Sequence, residues 1–169
     1  AEYRTRAGIV TVGGRNDSHP VWKILWESRV PPKVHIFIWR ALHDIVPCYC
    51  TLADRHIKTR VICPVCNIDP EDLRHIIFIC QRATEVWEEL GLRDCVTAVA
   101  SQYRSGSLIL DEILCSKLRG RVEVPGENAV ELILVACWYI WWEQRQISHD
   151  EKVATPARSV LQIRGIVAN

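Results

Sequence analysis

A chain of 169 residues suits one domain, or one domain with an appendage. Its composition, 49% hydrophobic and 24% charged with only 8 Gly and 8 Pro, excludes a mainly disordered, collagen-like or fibrous protein. The net charge of +1 gives by itself no case for nucleic-acid or membrane binding, but residues 1–60 hold 10 Lys/Arg against 5 Asp/Glu and residues 61–169 hold 11 against 15, so a phosphate-facing surface is expected in the N-terminal third.

The first residues are polar, with Gly8, Gly13, Gly14 and Asn16 as breakers and a weak helical pattern from Tyr3 to Val10. Residues 1–19 are therefore read as a partly flexible N-terminal segment. Arg4, Arg6 and Arg15 make this segment unlike a signal peptide. The absence of Met, with Ala at the start, fits a processed chain or a piece of a longer polypeptide.

Ser18-His19-Pro20 opens the first clear helix, with Ser18 as expected N-cap and Trp22, Leu25 and Trp26 at helical spacing. Pro31-Pro32 separates it from a second. There Val34, Phe37, Ile38, Ala41, Leu42 and Ile45 form one apolar stripe, which Pro47 closes. His35 beside the stripe reads as a boundary or core histidine. A third short helix is expected over Thr51–His56, capped by Thr51.

Gln81–Leu90 reads as a helix with Ala83, Val86, Trp87 and Leu90 inward and Gly91 as its stop. Residues 93–127 are read as a variable connection, with a candidate helix at Leu108–Leu118. Glu127 to His149 is the longest helix and is expected to be central. Thr155-Pro156 starts a last amphipathic helix. The longest apolar run, Leu132 to Trp142, falls short of the roughly 20 residues that a membrane span needs. The expected location is intracellular, nuclear or cytoplasmic, neither secreted nor in a membrane.

Four of the eight cysteines stand at 48, 50, 63 and 66, followed by Cys80, Cys95, Cys115 and Cys137. Cys63, Cys66, His75 and Cys80 have the form C-x2-C-x8-H-x4-C. The close pair makes a turn with both sulfurs on one side, and the loop brings the other two back to complete a tetrahedron. Three thiolates and an imidazole suit zinc, and four protein ligands leave no place for water, so one structural Zn2+ is expected. Asp69, Glu71 and Asp72 read as a polar loop around it. Cys48 and Cys50, near His43 and His56, are a second and less regular candidate. Cys95, Cys115 and Cys137 read as buried small apolar residues.

The order Trp22, Trp26, Pro31-Pro32-Lys33-Val34, Phe37-Ile38-Trp39, His43, Pro47, Leu52, Arg55, Cys63-Pro-Val-Cys66, Glu71, His75-Ile-Ile-Phe, Cys80, Ala83, Val86-Trp87 resembles the zinc-binding region of plant non-LTR (LINE-type) retrotransposon reverse transcriptases. Trp138-Tyr-Ile-Trp141-Trp-Glu-Gln-Arg145 resembles the segment that joins that region to ribonuclease H. The resemblance is close over about 20–90 and loose over about 130–167. It places Cys63, Cys66, His75 and Cys80 at the family's metal positions and implies RNA template or target DNA as partner. It also divides the chain into 1–19, a zinc-binding helical core at 20–92, the connection at 93–127, and C-terminal helices at 128–169 that pack on the core.

The expected fold is all-α, a multi-helix bundle with the zinc unit between helices. No polymerase Tyr/Phe-x-Asp-Asp stretch, phosphate-cradling loop or activated nucleophile is evident, so no enzymatic activity is expected. Nucleic-acid contacts fall to Lys33, Arg40, Arg55, Lys58 and Arg60, with Tyr49 and Trp39 as stacking candidates and packing the favoured role for Trp39. The other reading is a protein-docking module or a structural brace.

Overall fold

The computed structural model describes residues 18–57, 60–118, 128–148, 152 and 154–169. The weak helix at Tyr3–Val10 and the side chain of Lys58 lie outside the described residues. Among those described, the only β pairing is an isolated bridge between Ile62 and Pro70, so the fold is all-α as expected.

Helix α1 spans Pro20–Glu27. Its N-cap is His19, not Ser18: the ring Nδ1 accepts from the Val21 N–H at 3.4 Å. Val21, Ile24 and Leu25 are buried, an i, i+3, i+4 face. Trp22 and Trp26 lie about 100° and about 150° round from that face, and Trp26 is 56% exposed.

Helix α2 spans Pro32–Leu42 and buries Val34, Phe37, Ile38, Ala41 and Leu42 as one stripe. It ends well before Pro47. The His43 N–H closes the last turn, and Asp44 at φ 55° swings the chain away, so Ile45 leaves the stripe for the surface. Helix α3, Tyr49–Asp54, starts two residues earlier than expected, with Cys48 rather than Thr51 as N-cap.

A loop from Arg60 leads to a single π turn at His75–Ile79 and then to helix α4, Gln81–Glu89, which stops at Gly91 with φ 73°. Trp87 on α4 is buried and donates its indole N–H to the Ile77 carbonyl at 2.7 Å, tying α4 to the π turn. The stretch read as a connection holds two core helices, α5 (Arg93–Ala100) and α6 (Gly106–Leu118). Val96, Val99 and Ala100 are buried on the first; Ile109, Leu110, Ile113 and Leu114 on the second. Three β-branched residues among the eight of α5 hide its helical character from propensity, and burial overrides that.

Helix α7 (Ala129–Ser148) is the longest, and helix α8 (Pro156–Val167) is capped by Thr155, whose Oγ1 accepts from the Arg158 N–H. As expected, α7 is central: it packs against α2, the π turn, α4 and α8. Phe37 of α2 stacks on Trp141 of α7 with ring centroids 5.1 Å apart. Helix α6 closes the other side against α1, α2 and α5.

One close approach sets where α6 begins. A Cβ on Gly106 would stand 2.7 Å from the Arg74 backbone nitrogen and 2.9 Å from the Leu73 carbonyl carbon. From the same place, the Arg74 guanidinium reaches back to the carbonyls of Ala100 and Tyr103 and closes the end of α5. Gly106→Ala is expected to destabilise the protein by about 1–3 kcal/mol in urea unfolding, since neither backbone segment can give way. Gly165→Ala, with nothing within 4 Å of its Cβ, is expected to stabilise α8 by about 0.5–1 kcal/mol.

Candidate metal centre

The donor atoms of Cys63, Cys66, His75 and Cys80 all lie within 4.8 Å of one another. Cys66 Sγ is 3.4 Å from His75 Nε2. Bonds of about 2.3 Å to sulfur and 2.0 Å to nitrogen in a tetrahedron put two such ligands about 3.5 Å apart. The donor set and its spacing therefore fit one zinc ion.

Local chain geometry builds this arrangement. The Asn67 N–H bonds back to the Cys63 carbonyl, and Asn67 takes φ 56°, which closes a turn around the first two ligands. The Cys63 N–H donates to the Asp69 carbonyl and the Glu71 N–H to the Val61 carbonyl, so the loop doubles back on its own entry. Asp72 accepts the His75 N–H at 2.7 Å through its carboxylate and starts the π turn. The bond that closes that turn, from the Cys80 N–H to the His75 carbonyl, joins the last two ligand residues. His75 Nδ1 faces the Asp69 carboxylate at 3.9 Å, which leaves Nε2 for the sulfurs.

Cys63, His75 and Cys80 are buried and Cys66 is half-buried. The four protein donors fill a tetrahedron, the pattern of a structural ion. A hydrogen bond from the Cys80 thiol holds Cys63 down to about 3 against its burial, and the same bond pushes Cys80 up. Burial pulls His75 down, but its hydrogen bond and charge interaction with the Cys63 thiolate outweigh that and raise it. A bound metal takes the place of these protons.

Two consecutive residues of α7, Gln144 and Arg145, hold the loop to the bundle. Gln144 donates its amide to Cys63 Sγ at 3.0 Å. Arg145 donates to the Glu71 carboxylate at 2.6 Å. Glu143 faces the other way, pairing with Arg82 of α4 at 2.9 Å and accepting from Ser159 of α8 at 2.6 Å. Glu71 is not part of an exposed polar loop: it is fully buried, and it also accepts the Tyr49 N–H, so it caps α3 from across the fold. Burial raises the Glu71 carboxyl above its usual range, and Arg145 and the Tyr49 N–H offset part of that.

The second candidate metal set is not assembled. His43 sits at the end of α2, its ring between Trp22 and Trp39 at 5.2 and 4.4 Å, while His56 is exposed and Cys48 is buried at the start of α3. Burial pushes the Cys48 and Cys50 thiols up, Cys50 to about 11. Cys137 and Cys115 are buried as expected, and Cys95 is half-buried.

Lys33, Arg40, Arg55 and Arg60 are all exposed. Lys33 lies 4.2 Å over the Trp138 ring, and Arg60 donates to Asn67 on the metal loop. Lys33 and Arg40 are two turns apart on one side of α2. Tyr49 is buried with Arg145 over its ring, so it offers no face to a base. Trp39, read as a packing residue, is 39% exposed, and Trp26 is more open still. The exposure of Trp26 depends on which face of α1 is covered, and nothing local marked Gln144 as a partner of Cys63.

A family model described as zinc-binding in reverse transcriptase matches residues 3–87. No curated protein and no solved structure is significantly similar to the chain.

His75→Ala and Cys80→Ser are each expected to drop the zinc content well below one per chain and to melt the loop before α4, read by metal analysis and amide exchange. Gln144→Leu is expected to keep the ion but to weaken its binding by about 10–100-fold in chelator competition. Arg145→Met strands a buried carboxylate and is expected to cost about 3–5 kcal/mol. In that variant Glu71 holds its proton more tightly folded than unfolded, so stability is highest at low pH and falls as pH rises through the carboxylate range. The Glu71→Gln/Arg145→Met double variant is expected to lose this extra slope.

Proposed function

From the premise that the chain belongs to the family of zinc-binding regions of reverse transcriptases, we propose that it is a non-catalytic module of a LINE-type retrotransposon enzyme that binds nucleic acid through its basic N-terminal third. The observation that carries this reading is the pairing of exposed cations with open indole rings. Lys33 and Arg40 share α2 with Trp39, and Trp26 stands on α1 beside them, with its ring 5.6 Å from that of His35. Arg55 and Arg60 flank the approach to the metal loop. Cations that meet phosphates give affinity without base reading, and open aromatic faces add a preference for unpaired bases. The zinc ion would then serve to hold the loop that carries Arg60 and Asn67 in shape.

A protein-docking or bracing role is the second reading, favoured by Ile36, which is 52% exposed on the same hairpin. Salt separates the two, because phosphate contacts weaken steeply as salt rises and apolar contacts do not.

Fluorescence anisotropy of the zinc-loaded protein with single-stranded RNA, single-stranded DNA and duplex DNA tests the proposal at several salt concentrations. Binding at micromolar concentration is expected, with the salt slope reduced by about one for each of Arg40, Arg55 and Arg60 replaced by Ala. No binding to any of the three at low salt would transfer the assignment to protein docking.

A further inference from the structure

We propose that the chain holds a second divalent-metal site, of the zinc type, formed by His19, Asp111 and Cys115 where the start of α1 meets α6. It shares no residue with the Cys63–Cys80 cluster and does not depend on nucleic-acid binding. Asp111 and Cys115 are four residues apart, so one face of α6 presents a carboxylate and a thiol side by side. The Cys115 thiol donates a hydrogen bond to Asp111 Oδ1 at 3.2 Å, and a metal ion would take the place of that proton. His19 brings its ring edge across from α1, with Nε2 3.8 Å from Asp111 Oδ2. All three donors fall within 4.8 Å of one another.

The 3.8 Å between His19 and Asp111 suits ligands that share an ion. Donors at about 2.0–2.3 Å from zinc stand about 3.3–3.8 Å apart in a tetrahedron. A direct imidazolium–carboxylate hydrogen bond would draw nitrogen and oxygen to about 2.7–2.9 Å, which His19 and Asp111 do not reach. The place is also unlike a solvated acidic patch: the side chains of His19 and Asp111 are 31% and 15% exposed, and Cys115 is buried. Thiolate, imidazole and carboxylate together select zinc or cobalt over magnesium or calcium, which prefer oxygen alone.

Three protein ligands leave one coordination position, unlike the closed first cluster. The same residues line a cavity of about 400 Å³ together with Pro20, Tyr103, Leu108 and Glu112, so the open position faces room for a water. Binding has a local consequence. A metal on Nε2 keeps the ring proton on Nδ1, so His19 gives up the 3.4 Å bond it accepts from the buried Val21 N–H. Occupancy of this site is therefore linked to the cap of α1.

The test is a Co2+ titration of the stripped 169-residue chain, followed by its visible spectrum and by the Val21 amide resonance. Two equivalents are expected: a first with the intense charge-transfer bands of three thiolates, and a second with a single-thiolate band that moves the Val21 resonance. His19→Ala, Asp111→Asn and Cys115→Ser are each expected to remove the second equivalent and leave the first, whose spectrum shows that the variant is folded. If a variant loses the first spectrum too, the Val21 resonance of the unaltered chain decides. Saturation at one equivalent, or a second equivalent that survives all three substitutions with Val21 unmoved, would overturn the proposal.

Discussion

The convergence of Cys63, Cys66, His75 and Cys80 on one point is the constraint from which the rest of the structure follows. The segment between Ile62 and Cys80 is too short to enclose a core of its own, and its β pairing is a single bridge. Its turns are closed by a few backbone bonds, of which the π-turn bond links two ligand residues directly. A metal that joins the ligands converts a loop with little cohesion into a rigid wedge, and its binding energy becomes folding energy.

The wedge matters because of what it meets. Helix α7 presents Glu143, Gln144 and Arg145 in succession, and the helical twist of about 100° per residue sends each to a different neighbour. Gln144 goes to a ligand sulfur, Arg145 to the buried Glu71, and Glu143 to Arg82 and Ser159. Glu71 in turn satisfies the first turn of α3. Metal loop, α3, α4, α7 and α8 are thus held by one polar network around an apolar core. Networks of this kind are costly to break at one member, since the remaining charge stays buried.

This arrangement spends the inward faces of the chain on structure and leaves the outer side of α1 and α2 open. There the tryptophans and histidines stack on one another while Trp26 and Trp39 keep contact with solvent beside Arg40. The proposed nucleic-acid role rests on that open side, while the inward faces serve the scaffold.

The ligand set, the stripe on α2, the centrality of α7 and the all-α class were legible in the sequence, because each rests on spacing within a single turn, loop or helix. Gly91 as a helix stop and Thr155-Pro156 as a helix start were legible for the same reason. The end of α2, the burial of Glu71, the core role of α5 and the exposure of Trp26 were not, because each depends on which neighbour covers a given face. The partners of Glu143, Gln144 and Arg145 lie far off along the chain, with Gln144 and Cys63 separated by 81 positions. The meeting of His19 with Asp111 and Cys115 is of the same kind. Local chemistry determined what this chain can bind at its loop; only the packing of distant helices decided what supports that loop, and which rings and cations remain at the surface.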